Sequence, residues 1–367
     1  MNKKDENGNT PLFVACQLDD CIAIDIFSVY PDAMKQQSGW SVHRNPLHVA
    51  CFHSGFIPTL RLMKSKDNTL IHEVDSDGRT PLFFAQPKIF KWLRREAKID
   101  FNYKDKNGQT AFHYNCTQLN FEYCEKLLDD NDIEIDGNLS DNYGNNPLFS
   151  LIMIMFDESK LYNEEVWDRA TDIIRAINKR YSNAKDCILA NNENTLHLIC
   201  KNYDKLEHVA NYITKSIVIS FISLINKGDS NGLTPIHLAC HYDHDFIKIL
   251  LTLKCTWDRN NRINTKIMIN KKDNNGKTAL HHACEFHNYK AFINIIEFEK
   301  LNIDLVDVDH NTVLHTMIEN LERYCDNSIL MIKNLLKKSP YMIYQINGRY
   351  KTPIGIIVKS LEQPSNA

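Results

Sequence analysis

One frame recurs along this chain and leaves few folds open to it. An aspartate is followed three residues on by glycine, and a threonine and a proline then lead into an apolar run. The fullest copy runs from Asp229 to Leu251. Gly232 can take left-handed backbone angles that side chains resist, in a turn-forming context. Thr234 ahead of Pro235 suits a helix cap followed by proline at the first helical position. Ile236, Leu238 and Ala239 then open one helix, Asp243 and His244 break it, and Phe246, Ile247, Ile249, Leu250 and Leu251 supply the inner face of a second.

The frame returns at Asp5/Gly8/Thr10/Pro11, Asp75/Gly78/Thr80/Pro81, Asp105/Gly108/Thr110, Asp141/Gly144/Pro147 and Asp273/Gly276/Thr278. Weaker copies are Asn45-Pro46-Leu47-His48, Asn194-Thr195-Leu196-His197, Asp307 with Thr312 and His315, and Asn347 with Thr352 and Pro353. An apolar residue followed by Asn or Asp precedes many copies, as in Phe101-Asn102, Ile225-Asn226, Ile269-Asn270 and Ile303-Asp304. Starts fall roughly 30 to 50 residues apart, inside the window for stacked repeats. These residues resemble the ankyrin repeat, whose family pattern is D-x-x-G-x-T-P-L-H-x-A followed by a short second helix.

The resemblance implies an all-α solenoid of about ten helix-turn-helix units with short hairpin-like fingers. A single domain over 1–367 is expected, with units starting near 5, 40, 75, 105, 141, 189, 229, 273, 307 and 347. Polar inserts interrupt it near 157–168 and 256–266. His43, Asn192 and His310 stand where the turn glycine is expected.

Apolar content of 43% is enough for a continuous core, and a formal charge of -3 argues against a partner held by phosphate neutralisation. The most apolar stretches, 147–156 and 217–225, are about half the ~20 residues a membrane span requires. With no apolar leader core at the start, an intracellular, cytoplasmic monomer in a reducing compartment is expected. Cys16, Cys51, Cys116, Cys200, Cys240 and Cys284 share one repeat position. Equivalent atoms of stacked helices lie about 8–10 Å apart, too far for disulfides, so these thiols are expected to stay reduced and buried.

The recurring His-x-x-Cys pairs, such as His237/Cys240 and His281/Cys284, place two zinc-type donors on one helical face. A metal-dependent hydrolase is the alternative they raise. It is set aside because a structural zinc needs four converging ligands and each helix offers two. No phosphate loop, nucleophile elbow, zincin or kinase signature is present. No enzyme activity, metal, cofactor or nucleic-acid partner is therefore expected. The family resemblance gives His48, His113, His197, His237, His281 and His315 a bridging role between neighbouring units.

What remains is a surface. The resemblance implies a protein partner on the concave side, built from finger tips and the exposed part of each first helix. Carried over copy by copy, the candidate positions are Phe52, His53, Lys106, Asn107, Tyr143, Asn231, His241, Tyr242, Asn275, Lys277, Glu285 and Phe286. Aromatic residues there expose apolar area without serving the fold, as interaction sites do. A scaffold or adaptor is the expected function, with a regulatory or assembly segment of a larger polypeptide as the alternative.

Overall fold

The computed structural model describes residues 3–18, 20–29, 43–53, 68–95, 98–157, 164–181, 192–206, 211–242, 245–253, 267–320 and 326–362. The insert at 256–266, residues 158–163 of the other insert, the break at Asp243 and His244, and the unit starts expected near 40 and 189 lie outside them. The chain divides into two compact units, Met1–Cys187 and Ile188–Ala367. Both are helical. An isolated antiparallel bridge joins Lys104 and Thr110.

In the first unit, α1 (Pro11–Gln17) packs on α2 (Cys21–Ser28) and α3 (Pro46–His53). The tight turn Pro81–Phe84 packs between α3 and α5 (Ala111–Thr117), and a second one, Pro87–Ile89, leads into α4 (Phe90–Arg95). Helix α5 meets α6 (Phe121–Asp129) and α7 (Pro147–Met155), and α8 (Glu164–Arg180) closes against α6 and α7. First helices thus contact first helices and second contact second, as a repeat stack requires.

The second unit repeats the scheme. Helices α9 (Thr195–Lys201), α11 (Pro235–Ala239), α13 (Ala279–Glu285), α15 (Val313–Glu319) and α17 (Pro353–Glu362) form one succession of contacts. Helix α10 (Asn211–Ser220) precedes the finger at Asp229, and α12 (Phe246–Thr252), α14 (Tyr289–Ile296) and α16 (Asp326–Lys338) form the other succession.

Local chemistry explains the helix starts. Thr10, Thr110, Asn146 and Thr312 stand in extended backbone and accept a hydrogen bond from the backbone N–H three residues on. The third repeat departs from the scheme: its first helix is only the tight turn Pro81–Phe84. Pro87 holds Gln86 extended (φ -68°, ψ 142°), so the helix cannot run on.

Each finger is built on its aspartate. Asp229 Oδ1 accepts from the N–H of Asn231 (2.9 Å) and Leu233 (2.8 Å), and the N–H of Gly232 donates to Asp229 O (2.9 Å). Asp5, Asp75, Asp105, Asp141, Asp273 and Asp307 do the same, and Asn347 substitutes for aspartate in the last finger. Gly232 adopts φ +76°, while His43, Asn192, His310 and Tyr350 occupy the left-handed region at φ 45°, 56°, 58° and 57°. The turn thus survives without glycine, at the cost of backbone strain.

The cores are aromatic. Phe83, Phe112, Tyr123 and Phe149 are fully buried in the first unit, as are Phe221, Phe246 and Phe292 in the second. Cys16, Cys51, Cys116, Cys124, Cys200, Cys240 and Cys284 are free and buried, with Cys116 and Cys124 sulfurs 3.8 Å apart. The polar insert at 157–168 is not all loop: α8 begins at Glu164, and Trp167 is buried within it. Among the described residues no helix is long and apolar enough to cross a membrane.

Candidate binding surface

Finger tips within each unit are tied to one another through the main chain. In the first unit Lys106 N donates to Asp77 O (2.9 Å) and Asn142 N to Asn107 O (2.9 Å). In the second, Asn274 N donates to Asn231 O (3.0 Å), Val308 N to Asn275 O (3.0 Å) and Gly348 N to Asp309 O (2.7 Å). The side-chain amides of Asn142 and Asn274 add bonds to Lys106 O and Ser230 O, each 2.9 Å. The candidates Lys106, Asn107, Asn231 and Asn275 thus use their backbone to align the fingers and keep their side chains exposed.

The histidines fix the same alignment from beneath. Thr234 N donates to His237 Nδ1 (3.0 Å), which leaves the ring hydrogen on Nε2, and Nε2 donates to Lys271 O (2.9 Å). His48, His113, His197, His281 and His315 repeat this, with Nε2 bound to the carbonyls of Arg79, Asn145, Leu233, Asn311 and Lys351. Burial holds His48, His113, His237 and His281 down to about 4, and lowers His197 and His315 as well.

Above this frame lie the aromatic candidates. Phe52 is 52% exposed and meets Phe84 edge-on, with ring centroids 6.5 Å apart. Tyr143, at a finger tip, is 79% exposed and Phe286 is 49% exposed. The His241 ring lies 4.2 Å from that of Phe286. Lys277 Nζ bonds Glu285 Oε1 at 2.7 Å. Tyr242 differs from the expectation of an exposed aromatic: it is only half-exposed, burial raises its hydroxyl pKa, and its carbonyl accepts from Asn288 Nδ2. The His53 side chain lies outside the described residues.

The structure brings His241, Phe286, Glu285 and Lys277 into one patch on the second unit, and sets Phe52 beside Phe84 on the first. It also shows contacts of the residues before the caps that spacing alone does not announce. The Arg44 guanidinium lies 4.1 Å over Phe84 and the Arg79 guanidinium 4.6 Å over Tyr114. Each also faces an aspartate of the following finger, Arg44 with Asp75 (3.8 Å) and Arg79 with Asp105 (3.4 Å). Their position, one residue before the cap, was the available signal. His282 makes another such contact, its Nε2 reaching Asp273 Oδ2 at 3.0 Å.

Among the described residues, no set of three His, Cys, Asp or Glu donors converges as a metal ion requires. The His-x-x-Cys pairs meet their own needs instead. Each histidine spends both ring nitrogens on the main chain, and burial pushes the thiol pKa of Cys51, Cys240 and Cys284 far up.

Comparison with known proteins agrees with this architecture. The family model of the ankyrin repeat matches residues 231–262. The chain is 34% identical over 91 residues to the probable 26S proteasome regulatory subunit p28 of Saccharomyces cerevisiae. That match covers 23% of this chain and 39% of the yeast protein, so the chain spans well under half the length of this relative. Its fold is similar to the crystal structure of the ankyrin repeat domain of Bcl-3, a member of the IkappaB family. The TM-score is 0.50 at 13% identity, over 70% of this chain and 100% of that domain.

Proposed function

We propose that this ankyrin-repeat protein is a non-catalytic scaffold that binds a protein partner on the face formed by its finger tips and first helices. The fold is an interaction fold. The observation that carries the reading is the exposure of Phe52 and Tyr143 in the first unit and of Phe286 in the second, beside fingers whose backbone hydrogen bonds are already satisfied. Large aromatics left half or more exposed leave apolar area that the fold does not cover, and they are the residue types that dominate contact energy in interfaces. The remaining candidates, Lys106 and Asn107 in the first unit and Asn231, His241, Asn275, Lys277 and Glu285 in the second, supply polar groups on the same elements.

A second reading makes the chain a regulatory or assembly component of a larger complex. The similarity to a protein described as a proteasome regulatory subunit favours it. Both readings use the same face and differ only in what docks there.

The test is affinity capture from the native cell with the full chain, compared with variants Phe52→Ala and Phe286→Ala, and identification by mass spectrometry. Proteins held by the parent and lost by either variant, at unchanged helical circular dichroism, support the reading. An identical set retained by both variants moves the site off this face.

A further inference from the structure

We propose that Asp273, His282 and His241 form a proton-set latch on the candidate surface. One hydrogen on the line between the two rings keeps His241 against Phe286, and a second hydrogen on that same line, with both rings charged, releases it. The proposal rests on the reading of this face as a docking surface and adds a control on it.

The geometry is a chain of three groups on two neighbouring repeats. Asp273 Oδ2 lies 3.0 Å from His282 Nε2, and His282 Nδ1 lies 3.1 Å from His241 Nε2. His241 in turn lies 4.2 Å from Phe286, ring to ring. Asp273 also accepts backbone N–H bonds from Asn275 and Lys277 through Oδ1, so its carboxylate is fixed in place. An ionised carboxylate only accepts, which puts a hydrogen on His282 Nε2. One hydrogen then serves the line between the two facing nitrogens. Either His241 donates it to a neutral His282, or a charged His282 donates it to a neutral His241. When both rings are charged, two N–H groups meet head-on and two cations adjoin, and the contact cannot persist.

Charged groups face the two rings from both repeats. Asp273 is on one side, and Glu285 Oε2 stands 3.8 Å from His282 Nδ1. Lys277 is bound to Glu285, and Lys271 and Lys272 act on the neighbouring His237 and His281. His237, with its ring 5.4 Å away, and His281 are held neutral by burial, and Asp229 of the preceding finger and Asp307 of the following one lie on either side. Burial raises the Asp273 pKa, but its bonds to His282 and Lys277 outweigh this and the carboxyl ends below its usual range. His241 is pushed down to about 4, by burial first and by the charge on His282 second.

The experiment follows the ring signals of the full-length chain, labelled at histidine, by NMR from neutral pH down to about 3.5. The His241 signals should shift in the acid part of that range, as its contact with His282 breaks. In His282→Gln, which keeps a donor toward Asp273 and an acceptor toward His241 but carries no charge, the His241 midpoint should rise by about one pH unit or more. An unchanged His241 midpoint in that variant overturns the latch. If acid unfolds the chain first, the question is read at neutral pH from the hydrogen-bonded ring N–H signal. That signal should appear in the parent and vanish in His241→Phe, and its absence from the parent overturns the proposal. Stoichiometric zinc bound by the parent and lost in His241→Phe also overturns it, because the metal would occupy the line between the nitrogens. All these readouts use the free chain, so failure here leaves the partner-capture test of the surface independent.

Discussion

The imidazole of His237 joins the cap of its own helix to the carbonyl of Lys271, thirty-four residues further along, at 2.9 Å. Its other nitrogen accepts from the backbone and hydroxyl of Thr234. One buried ring thus satisfies both a helix terminus and the next finger. Replacing it with alanine orphans the Thr234 N–H and the Lys271 carbonyl together.

His237→Ala should therefore lower stability by about 2–4 kcal/mol, from unpaired buried groups plus lost packing. The denaturant midpoint checks it. Because the ring is buried beneath the surface, partner capture by the folded variant should be unchanged. An unshifted midpoint removes the bridging role.

Acid should weaken the fold over a defined window. His48, His113, His237 and His281 are each held down to about 4 by burial, against 6.5 for the ordinary group. The unfolded chain therefore takes up these protons first. Stability is fully present above about pH 6.5, falls as pH drops, and flattens below about pH 4, with a ceiling on the order of 3 kcal/mol per histidine. Denaturant melts across that range check the slope. A flat profile between those limits contradicts the neutral, main-chain-bound rings.

Two turn glycines should respond differently to alanine. At Gly144 (φ +84°) an added Cβ meets nothing within 4 Å, so Gly144→Ala should cost only the left-handed penalty of about 1–2 kcal/mol. At Gly232 (φ +76°) the Cβ would lie 2.5 Å from Asn274 Oδ1 and 2.9 Å from Asn274 N. That nitrogen is the donor to Asn231 O, so Gly232→Ala should also break the tie between fingers, for about 2–4 kcal/mol in all. Thermal unfolding of the two variants, side by side, gives the comparison.

Arg180 should be worth more than any surface charge near it. Its guanidinium donates to the carbonyls of Leu127 (2.8 Å), Leu128 (2.7 Å) and Ile133 (3.0 Å), at and just past the end of α6. Those carbonyls include orphans of a helix C-terminus, where a cation is also favoured. Arg180→Ala should cost about 2–3 kcal/mol. Arg175→Ala, which breaks only an exposed pair with Asp172, should cost about 0.5 kcal/mol or less. Equal effects in urea melts would deny Arg180 its capping role.

The local frame was legible because it is written in contiguous residues. Asp229, Gly232, Thr234 and Pro235 set a turn, a cap and a helix start within seven positions, and the all-α repeat fold follows from iterating them. What stayed hidden depends on residues far apart in the chain. Nothing near Arg180 names Leu127 as its acceptor, and nothing near His282 announces that it faces His241 across forty-one residues. Tyr242 stands at a surface position by spacing alone, yet burial depends on what neighbouring repeats place over it. Trp167 stands by sequence in a polar insert, with Glu164, Glu165 and Asp168 around it, and only the pairing of α8 with α6 and α7 gives its ring a core to enter.

The carbonyls claimed by five of the bridging histidines belong to Arg79, Asn145, Leu233, Asn311 and Lys351, each directly ahead of the next helix cap. A main-chain oxygen is common to all twenty amino acids. The joint is therefore blind to the side chain it is made through, and a cation, an amide or an aliphatic group can stand there with the coupling intact. Assembly at these joints is thus carried by main-chain atoms alone, so a chain of this kind can be re-lettered there without being refolded.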